Sequence, residues 1–337
     1  MEVSFIVVAR NSAATIGALL ECLTRQSYPH ELIEVLLIDG LSTDGTKAEM
    51  LRFQNEKHGF RRVVVLDNPG RTLPCGWNVA LAEAHGEAIL RVDAHATIPE
   101  RFIELNVRDI QSGEDICGGT VLSVPGEKSA WGTVLNEAEN SMFGGSFAAF
   151  RRAKTAGYVS TAAFAMYRKA VFDRVGRYNE ALTRTEDNEM HYRMRRAGYK
   201  FYYDPEIVSQ RETRSDLGKL LKQKYLNGYW IGRTLGVEPR CFSLYHFVPL
   251  AFVLAIVFCS IAGACGIGWL SVLLWAAYGA ANLAMTIAAV IGCRERNILF
   301  VFLPLIFLLL HVSYGAGTVV GIVEMLRLKM SRKGLEG

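Results

Sequence analysis

A doubly wound α/β domain followed by a membrane-embedded helical region is the fold class that this sequence predicts, on three observations. Short apolar, β-branched runs alternate with stretches of helical periodicity through the first 120 residues. The 53 residues from Cys241 to Cys293 contain no Asp, Glu, Lys or Arg, and a second such run, Asn297 to Val323, adds 27 more. The part before them, Met1 to Arg240, carries 31 basic and 30 acidic side chains, so its charge is nearly balanced. With 50% hydrophobic residues in 337 and a net charge of only +4, the chain is neither disordered nor fibrous nor a freely soluble enzyme. The balanced N-terminal part also lacks the basic surplus that nucleic-acid binding requires.

The elements follow in order. "VSFIVVA" (Val3–Ala9) predicts a strand buried on both faces of a parallel sheet. Ile16, Leu19, Leu20 and Leu23 recur at helical spacing between Thr15 and Gln26. "IEVLLID" (Ile33–Asp39) is the second strand and Thr46–Asn55 the next helix; "RVVVLD" (Arg62–Asp67) is the third strand. A helix around Gly76–His85 and a fourth strand, "EAILRVD" (Glu87–Asp93), complete the alternation. Such alternation implies right-handed crossovers. Ligands bind beyond the carboxyl ends of such strands, which selects Ala9–Asn11, Asp39–Thr43, Asn68–Arg71 and Asp93–His95 as the pocket rim. Gly118–Val124 predicts a further strand, and 141–160, rich in Gly, Ala and Arg, a loop.

Between Asp216 and Leu235, Lys219, Lys222, Lys224 and Arg233 alternate with Leu, Tyr, Trp and Ile, which predicts an amphipathic helix in the lipid headgroup plane. The alternative is a helix packed on its own domain. A spanning helix takes about 20 apolar residues, so the membrane region holds about three hydrophobic segments, near 246–265, 267–291 and 298–323. A single pass through the third would place Arg327, Lys329, Arg332 and Lys333 outside, against the positive-inside rule. Pro304, His311, Gly315, Gly317 and Gly321 are therefore expected to break it into a re-entrant or interfacial hairpin. Domain boundaries are expected at 1–215, 216–240 and 241–337. The seven cysteines form no C-x-x-C pair, and Val3–Ala9 has no basic n-region before it. Both point to a domain facing the cytosol.

Three motifs carry chemistry. In "LLIDGLSTDGT" (Leu36–Thr46) a buried strand ends on Asp39, whose carboxylate can accept hydrogen bonds from a nucleobase or ribose; Asp in such a turn also often caps a helix. In "RVDAHA" (Arg91–Ala96), Asp93 and His95 are two apart at a strand end and can aim at one divalent ion and its pyrophosphate. In "TRTEDNEMHYRMRRAGYK" (Thr183–Lys200), Glu186 and Asp187 stand at a helix N-terminus, where the dipole keeps a carboxylate ionised; simple capping is the alternative.

In this order and spacing, with "VSFIVVARN", "GWNVALAEAHGE" and "STAAFAMYRKAVFDRVGRYNE", the motifs resemble the inverting glycosyltransferases of family 2 over nearly all of Met1–Ser209. The membrane tail makes the chain most similar to succinoglycan-type glucosyltransferases of bacterial exopolysaccharide assembly. The resemblance implies a GT-A fold, a Rossmann-like doubly wound mixed sheet. It implies that Ala9, Arg10 and Asn11 line the nucleotide pocket, that Asp39 holds the uracil or ribose, and that Asn68, Arg71 and Asn78 complete the pocket at the phosphates. It further implies metal binding at Asp93 and His95, and Asp187 as general base, with Glu186 capping or orienting the acceptor. The family usually has Asp at position 95, and imidazole there tilts the expectation from Mg²⁺ towards Mn²⁺.

His191, four residues after Asp187, is a candidate third metal ligand or orienter of the base, or else a satisfied core histidine. Arg211 and Arg214, which should come just after the last strand, are expected to grip a lipid pyrophosphate. Gln223 and Trp230 resemble the Q-x-x-R-W element of processive synthases, but Arg-Trp does not follow Gln223 at that spacing. The implied function is transfer of a hexose, glucose first, from a UDP-sugar to a polyprenyl-diphosphate-linked saccharide at the cytoplasmic membrane, in an exopolysaccharide assembly complex. Rival readings are a polyprenyl-phosphate glycosyltransferase, a processive polysaccharide synthase, and a non-catalytic membrane scaffold with a degenerate nucleotide site.

Overall fold

The computed structural model describes residues 1–145 and 153–333 and divides into two compact units. The first is Met1–Leu122 with Ala148–Glu212; the second is Ser123–Phe147 with Thr213–Gly337. The division is not the linear one expected from charge, because Ser123–Phe147 joins the C-terminal unit.

The first unit is built on a mixed sheet in the order β3-β2-β1-β4-β8-β6-β9-β5, with β7 added on β9. Its strands are β1 (Val3–Ala9), β2 (Ile33–Asp39), β3 (Arg62–Asp67), β4 (Ala88–Arg91), β5 (Ala96–Thr97), β6 (Ile116–Pro125), β7 (Gly157–Val159), β8 (Met166–Arg168) and β9 (Phe201–Thr213). Strands β1 to β4 pair in parallel, as their unbroken apolar runs require. From β8 outwards, β4 with β8, β8 with β6, β9 with β5 and β9 with β7 pair antiparallel. In β1, Val3, Phe5 and Val7 enter one core with helices α1 (Ala13–Thr24), α2 (Thr46–Asn55) and α4 (Phe102–Gln111). Ile6 and Val8 enter the other, with α3 (Leu73–Glu83), α6 (Lys169–Val175) and α7 (Glu186–Arg196). That two-residue alternation makes the sheet doubly wound. Of the expected loop 141–160, residues 146–152 lie outside the described residues, and 157–159 form β7.

Far from the strand ends, α4 and β9 bury two acids side by side. Asp109 is enclosed, and its neighbours are Arg108 and Asp204. Burial, then repulsion from Asp204, push the Asp109 carboxyl up to about 6 against the pull of Arg108. A folded pKa above the unfolded one means that the native state binds this proton more tightly. The stabilisation is full below the unfolded value of 3.8 and is lost as pH rises through 6. Asp109→Asn should therefore raise stability at pH 8 by about 1–3 kcal/mol and leave it nearly unchanged at pH 4. Denaturant unfolding at the two pH values checks this, and equal gains at both would contradict it.

The second unit contains α5 (Ala130–Asn140), α8 (Leu217–Thr234), α9 (Val248–Ala264), α10 (Trp269–Gly292) and α11 (Leu303–Lys333). Helix α5 is drawn in because Val134, Leu135 and Ala138 bury against Phe300, Leu303, Ile306, Phe307 and Leu310. Three helical stretches are long and apolar enough to cross a membrane: Leu244–Ala264, Trp269–Gly292 and Ile298–Ser331. The turn between α9 and α10 is a Schellman motif. Gly266 takes φ +91°, its N–H donates to the Gly263 carbonyl, and the Ile267 N–H donates to the Ala262 carbonyl. The hairpin expected within the third segment is absent, since α11 runs unbroken from Leu303 to Lys333. Its glycines serve close approach instead of bending. A Cβ on Gly317 or Gly321 would lie 2.1 or 2.0 Å from the carbonyl oxygens of Tyr225 and Tyr229 on α8. Reciprocally, a Cβ on Gly228 of α8 would lie 2.0 Å from the Tyr314 carbonyl oxygen. Helix α8 is thus partnered along its glycine face by α11.

Candidate active site

The carboxyl ends of β1, β2 and β3 carry the non-glycine residues Asn11, Leu41 and Arg71 at positive φ, of 51°, 55° and 57°. Residues other than glycine avoid this region unless their surroundings hold them there. Hydrogen bonds provide that hold between the first two loops. The Thr43 N–H donates to Asn11 Oδ1 at 2.9 Å, the Asn11 N–H to the Ser42 hydroxyl at 3.0 Å, and the Ser12 N–H to the Thr46 hydroxyl at 2.7 Å. Asn11, expected in the pocket wall, therefore spends its side-chain oxygen on tying the loops together. Ala9 takes the Gly40 N–H on its carbonyl at 2.8 Å, and Arg10 packs over Gly40, where a Cβ would come within 2.9 Å of its own.

Asp39 is completely buried at the end of β2. Its Oδ2 accepts the Ser42 N–H at 3.0 Å, while Oδ1 is enclosed without a hydrogen-bond partner among the described residues. Asn68, also buried, donates through Nδ2 to the Thr72 carbonyl at 2.7 Å, and its Oδ1 is likewise enclosed and unpartnered. Buried acceptors of this kind are costly unless something donates to them. Arg71 is exposed on the same rim. Asn78 departs from expectation. Its Nδ2 donates to the Tyr178 carbonyl (2.9 Å) and Glu180 Oε1 (2.8 Å), and its Oδ1 accepts the Tyr178 N–H (2.9 Å). An amide so fully engaged braces the 178–180 segment and has nothing left for a phosphate.

Asp93 and His95 are half-buried in a tight turn closed by the Ala96 N–H on the Asp93 carbonyl at 3.0 Å. Strand β4 has ended at Arg91, so strand alternation does not set their directions, and the turn does. Among the described residues no three His, Cys, Asp or Glu side chains converge. His191 does not join the pair. One of its ring nitrogens lies 2.7 Å from the Thr161 hydroxyl, the other 2.9 Å from the Tyr167 hydroxyl, and burial pushes its pKa down to about 4. It is a neutral, satisfied core histidine. A carboxylate and an imidazole still fit Mg²⁺ or Mn²⁺, because such ions use one or two protein donors and complete their shell with substrate phosphates and water. Arg211 is not beyond the last strand as expected: it lies within β9, opposite Ala96. Arg214, Gln223 and Trp230 belong to the second unit. There Gln223 Oε1 is enclosed and unpartnered among the described residues, and Trp230 packs edge-on to Tyr229.

Helix α7 begins at Glu186 with Thr185 as N-cap. The two carboxyls of its first turn differ sharply. Glu186 is 3% exposed, and burial, then repulsion from Asp187 and more weakly Asp93, raise its pKa well above the usual carboxyl value. The side chain of Asp187 is 48% exposed; burial opposes its charge, but Arg91 first and His191 next outweigh that and hold it below its ordinary value. Neighbouring acids whose environments drive them apart mark an acid and a base. Arg91 Nη1 donates to Asp187 Oδ1 at 2.7 Å and also to the Tyr178 hydroxyl. Its guanidinium lies 4.1 Å from the centre of the Trp77 ring and 5.0 Å from that of Tyr178. Arg91 lies inside the "RVDAHA" motif, where the motif alone assigns it no role. The signal was a guanidinium within an otherwise apolar strand, since a buried charge demands a partner.

A doubly wound sheet that gathers enclosed, unpartnered acceptors, Asp39 Oδ1 and Asn68 Oδ1, at its strand ends has the layout of an α/β ligand-binding site. The chain belongs to glycosyl transferase family 2, whose sequence model matches residues 4–176. It is 29% identical over 317 residues to the succinoglycan biosynthesis protein ExoA of Rhizobium meliloti, covering 93% of this chain and 92% of that one. It is 26% identical over 321 residues to a dolichyl N-acetyl-α-D-glucosaminyl phosphate 3-β-D-2,3-diacetamido-2,3-dideoxy-β-D-glucuronosyltransferase of Methanococcus voltae, covering 93% and 95%. In fold it resembles the mannosyltransferase PcManGT from Pyrobaculum calidifontis, solved with GDP-Man and Mn²⁺. The TM-score is 0.62 at 18% identity, over 94% of this chain and 87% of that one.

Proposed function

We propose that this glycosyltransferase moves a hexose, glucose in the first instance, from a UDP-sugar to a polyprenyl-diphosphate-linked saccharide in exopolysaccharide assembly, with inversion. The reading rests on one observation above the others: the Asp187 carboxylate opens to solvent at the start of α7 with Oδ1 held by Arg91, which favours its charged form, while the adjacent Glu186 is buried, which disfavours the charge there. The acceptor hydroxyl oxygen attacks the anomeric carbon, its proton passes to Asp187, the bond to the diphosphate breaks, and UDP leaves. One displacement inverts the centre, so an α-linked donor yields a β-linked product. Asp39 Oδ1 and Asn68 Oδ1 are the acceptors that a nucleoside would satisfy, and Arg71, exposed on the same rim, is the residue that would contact its phosphates. A divalent ion held by Asp93 and His95 would supply Lewis-acid stabilisation of the diphosphate.

The relative from Methanococcus voltae is named for a dolichyl-linked acceptor, which supports a lipid-linked acceptor here. Three helices suited to crossing a membrane would keep the enzyme beside such a lipid. The proposed location is the cytoplasmic membrane, with the catalytic unit on the cytosolic face. UDP release should require a UDP-sugar and a lipid-linked acceptor together, adding one sugar per acceptor. Release that ignores the lipid, or a ladder of products on one acceptor, would favour loading of free polyprenyl phosphate or processive synthesis. Chelation by EDTA should abolish turnover, Mn²⁺ should restore it at least as well as Mg²⁺, and His95→Asp should shift the preference to Mg²⁺. Turnover that survives full chelation removes the metal from the reading.

A further inference from the structure

We propose that Arg91 is the positioning residue of this reaction: clamped between Trp77 and Tyr178, its guanidinium aims the Asp187 carboxylate at the acceptor hydroxyl. The inference rests on the reading of Asp187 as base and adds what makes that base effective. A half-exposed aspartate at a helix N-terminus has several rotamers open to it, and a base must sit within hydrogen-bond reach of the proton that it takes. The 2.7 Å bond from Arg91 Nη1 takes Oδ1, fixes the rotamer and leaves Oδ2 to the acceptor.

The clamp is rigid at each stage. Arg91 is the last residue of β4, a strand paired with β1 on one side and β8 on the other. Its guanidinium is stacked by Trp77, which is 1% exposed and rises from α3. Tyr178 holds Nη1 through its hydroxyl, and Asn78 holds the Tyr178 backbone through both atoms of its amide. Asn78, unavailable to a phosphate, thus acts on the base at third remove. The placement also explains why a strand would carry a buried cation at all. Burying a guanidinium brings little net stability even when it is paired, so its return is sought in geometry. Misplacing a reacting group by about 1 Å can cost 10²-fold in rate.

The test measures kcat, KM for the donor, and UDP affinity by calorimetry on the full chain in detergent. Arg91→Met, whose thioether can occupy the space between two rings, should lower kcat at least about tenfold, with UDP affinity and KM within about twofold of wild type. Arg91→Lys should fall between Arg91→Met and wild type, because ammonium restores the charge but not the forked, stacked geometry. Asn78→Ala should move kcat in the same direction by a smaller factor. Wild-type kcat in Arg91→Met beside a collapsed Asp187→Asn would overturn the inference and spare the base. Loss of UDP affinity with kcat intact would overturn it too, since Arg91 would then be a nucleotide ligand. If Asp187→Asn itself keeps turnover, the base reading fails and takes the inference with it. Should Arg91→Met not fold, Arg91→Lys decides alone: several-fold lower kcat at unchanged UDP affinity supports the role, and unchanged kcat rejects it.

Discussion

Turnover of Asp187→Asn should fall by about 10²–10⁴-fold, the usual contribution of a positioned general base, while UDP and metal binding stay nearly as they were. The amide keeps the shape of the side chain and its place at the start of α7 but cannot take a proton. Asp39, Asn68, Asp93 and His95 are untouched by the change, so the donor site should survive it. Glu186→Gln should cost less, because Glu186 is buried away from the acceptor side and its surroundings favour the neutral form. Consecutive helical residues point about 100° apart, and only Asp187 of the two reaches both Arg91 and solvent. Steady-state kinetics with calorimetric UDP titration separates the outcomes. Retention of more than about a tenth of wild-type turnover, or a defect that is mainly in UDP affinity, would remove Asp187 from its role.

The second large effect should come from a single methyl group in the second unit. Gly228→Ala would put a Cβ 2.0 Å from the Tyr314 carbonyl oxygen, a distance no carbon–oxygen contact sustains, so α8 and α11 would have to part. Overpacking typically costs about 1–3 kcal/mol, and backbone on the far side, which cannot swing away, puts this case at the upper end. The lost contacts are the close backbone approaches that small residues allow between packed helices. Gly279→Ala on α10 is the control, because a Cβ there meets nothing within 4 Å. Alanine is favoured over glycine inside a helix by about 1 kcal/mol, so the control should unfold at the same temperature or higher. Gly228→Ala should instead unfold several degrees lower in detergent. Equal midpoints for the two variants would mean that the α8–α11 contact carries little stability.

Much of the first unit was legible because its signals are local. Seven consecutive apolar or buried positions in Val3–Ala9 can only be a central strand, and the strand ends named the rim before any contact was known. The placing of Glu186 and Asp187 at a helix start was legible for the same reason, since capping is read within one turn. What escaped depends on partners distant in sequence. Asn78 is committed to Tyr178, 100 residues on, and His191 to Thr161 and Tyr167. No spacing rule carries such pairings. In the sequence the glycines of α11 suggest breaks because a single unbroken pass would breach the positive-inside rule. Their actual use, admitting the backbone of α8, is invisible until the partner helix is in view. Strand β9 runs on to Thr213 through alternating polar residues that resemble a loop in sequence, so Arg211 lies within it and not beyond it.

The recruitment of α5 into the C-terminal unit bears on how this enzyme can be taken apart. A cut after Glu212, where β9 closes the catalytic sheet, would remove the helices but leave Ser123–Phe147 tethered to the severed half. That remnant would carry Val134, Leu135 and Ala138 stripped of Phe300, Leu303 and Phe307, a sticky apolar stripe in water. The catalytic half is therefore not severable by one truncation. A soluble version requires a second operation, excising Ser123–Phe147 or repainting its apolar stripe with polar side chains.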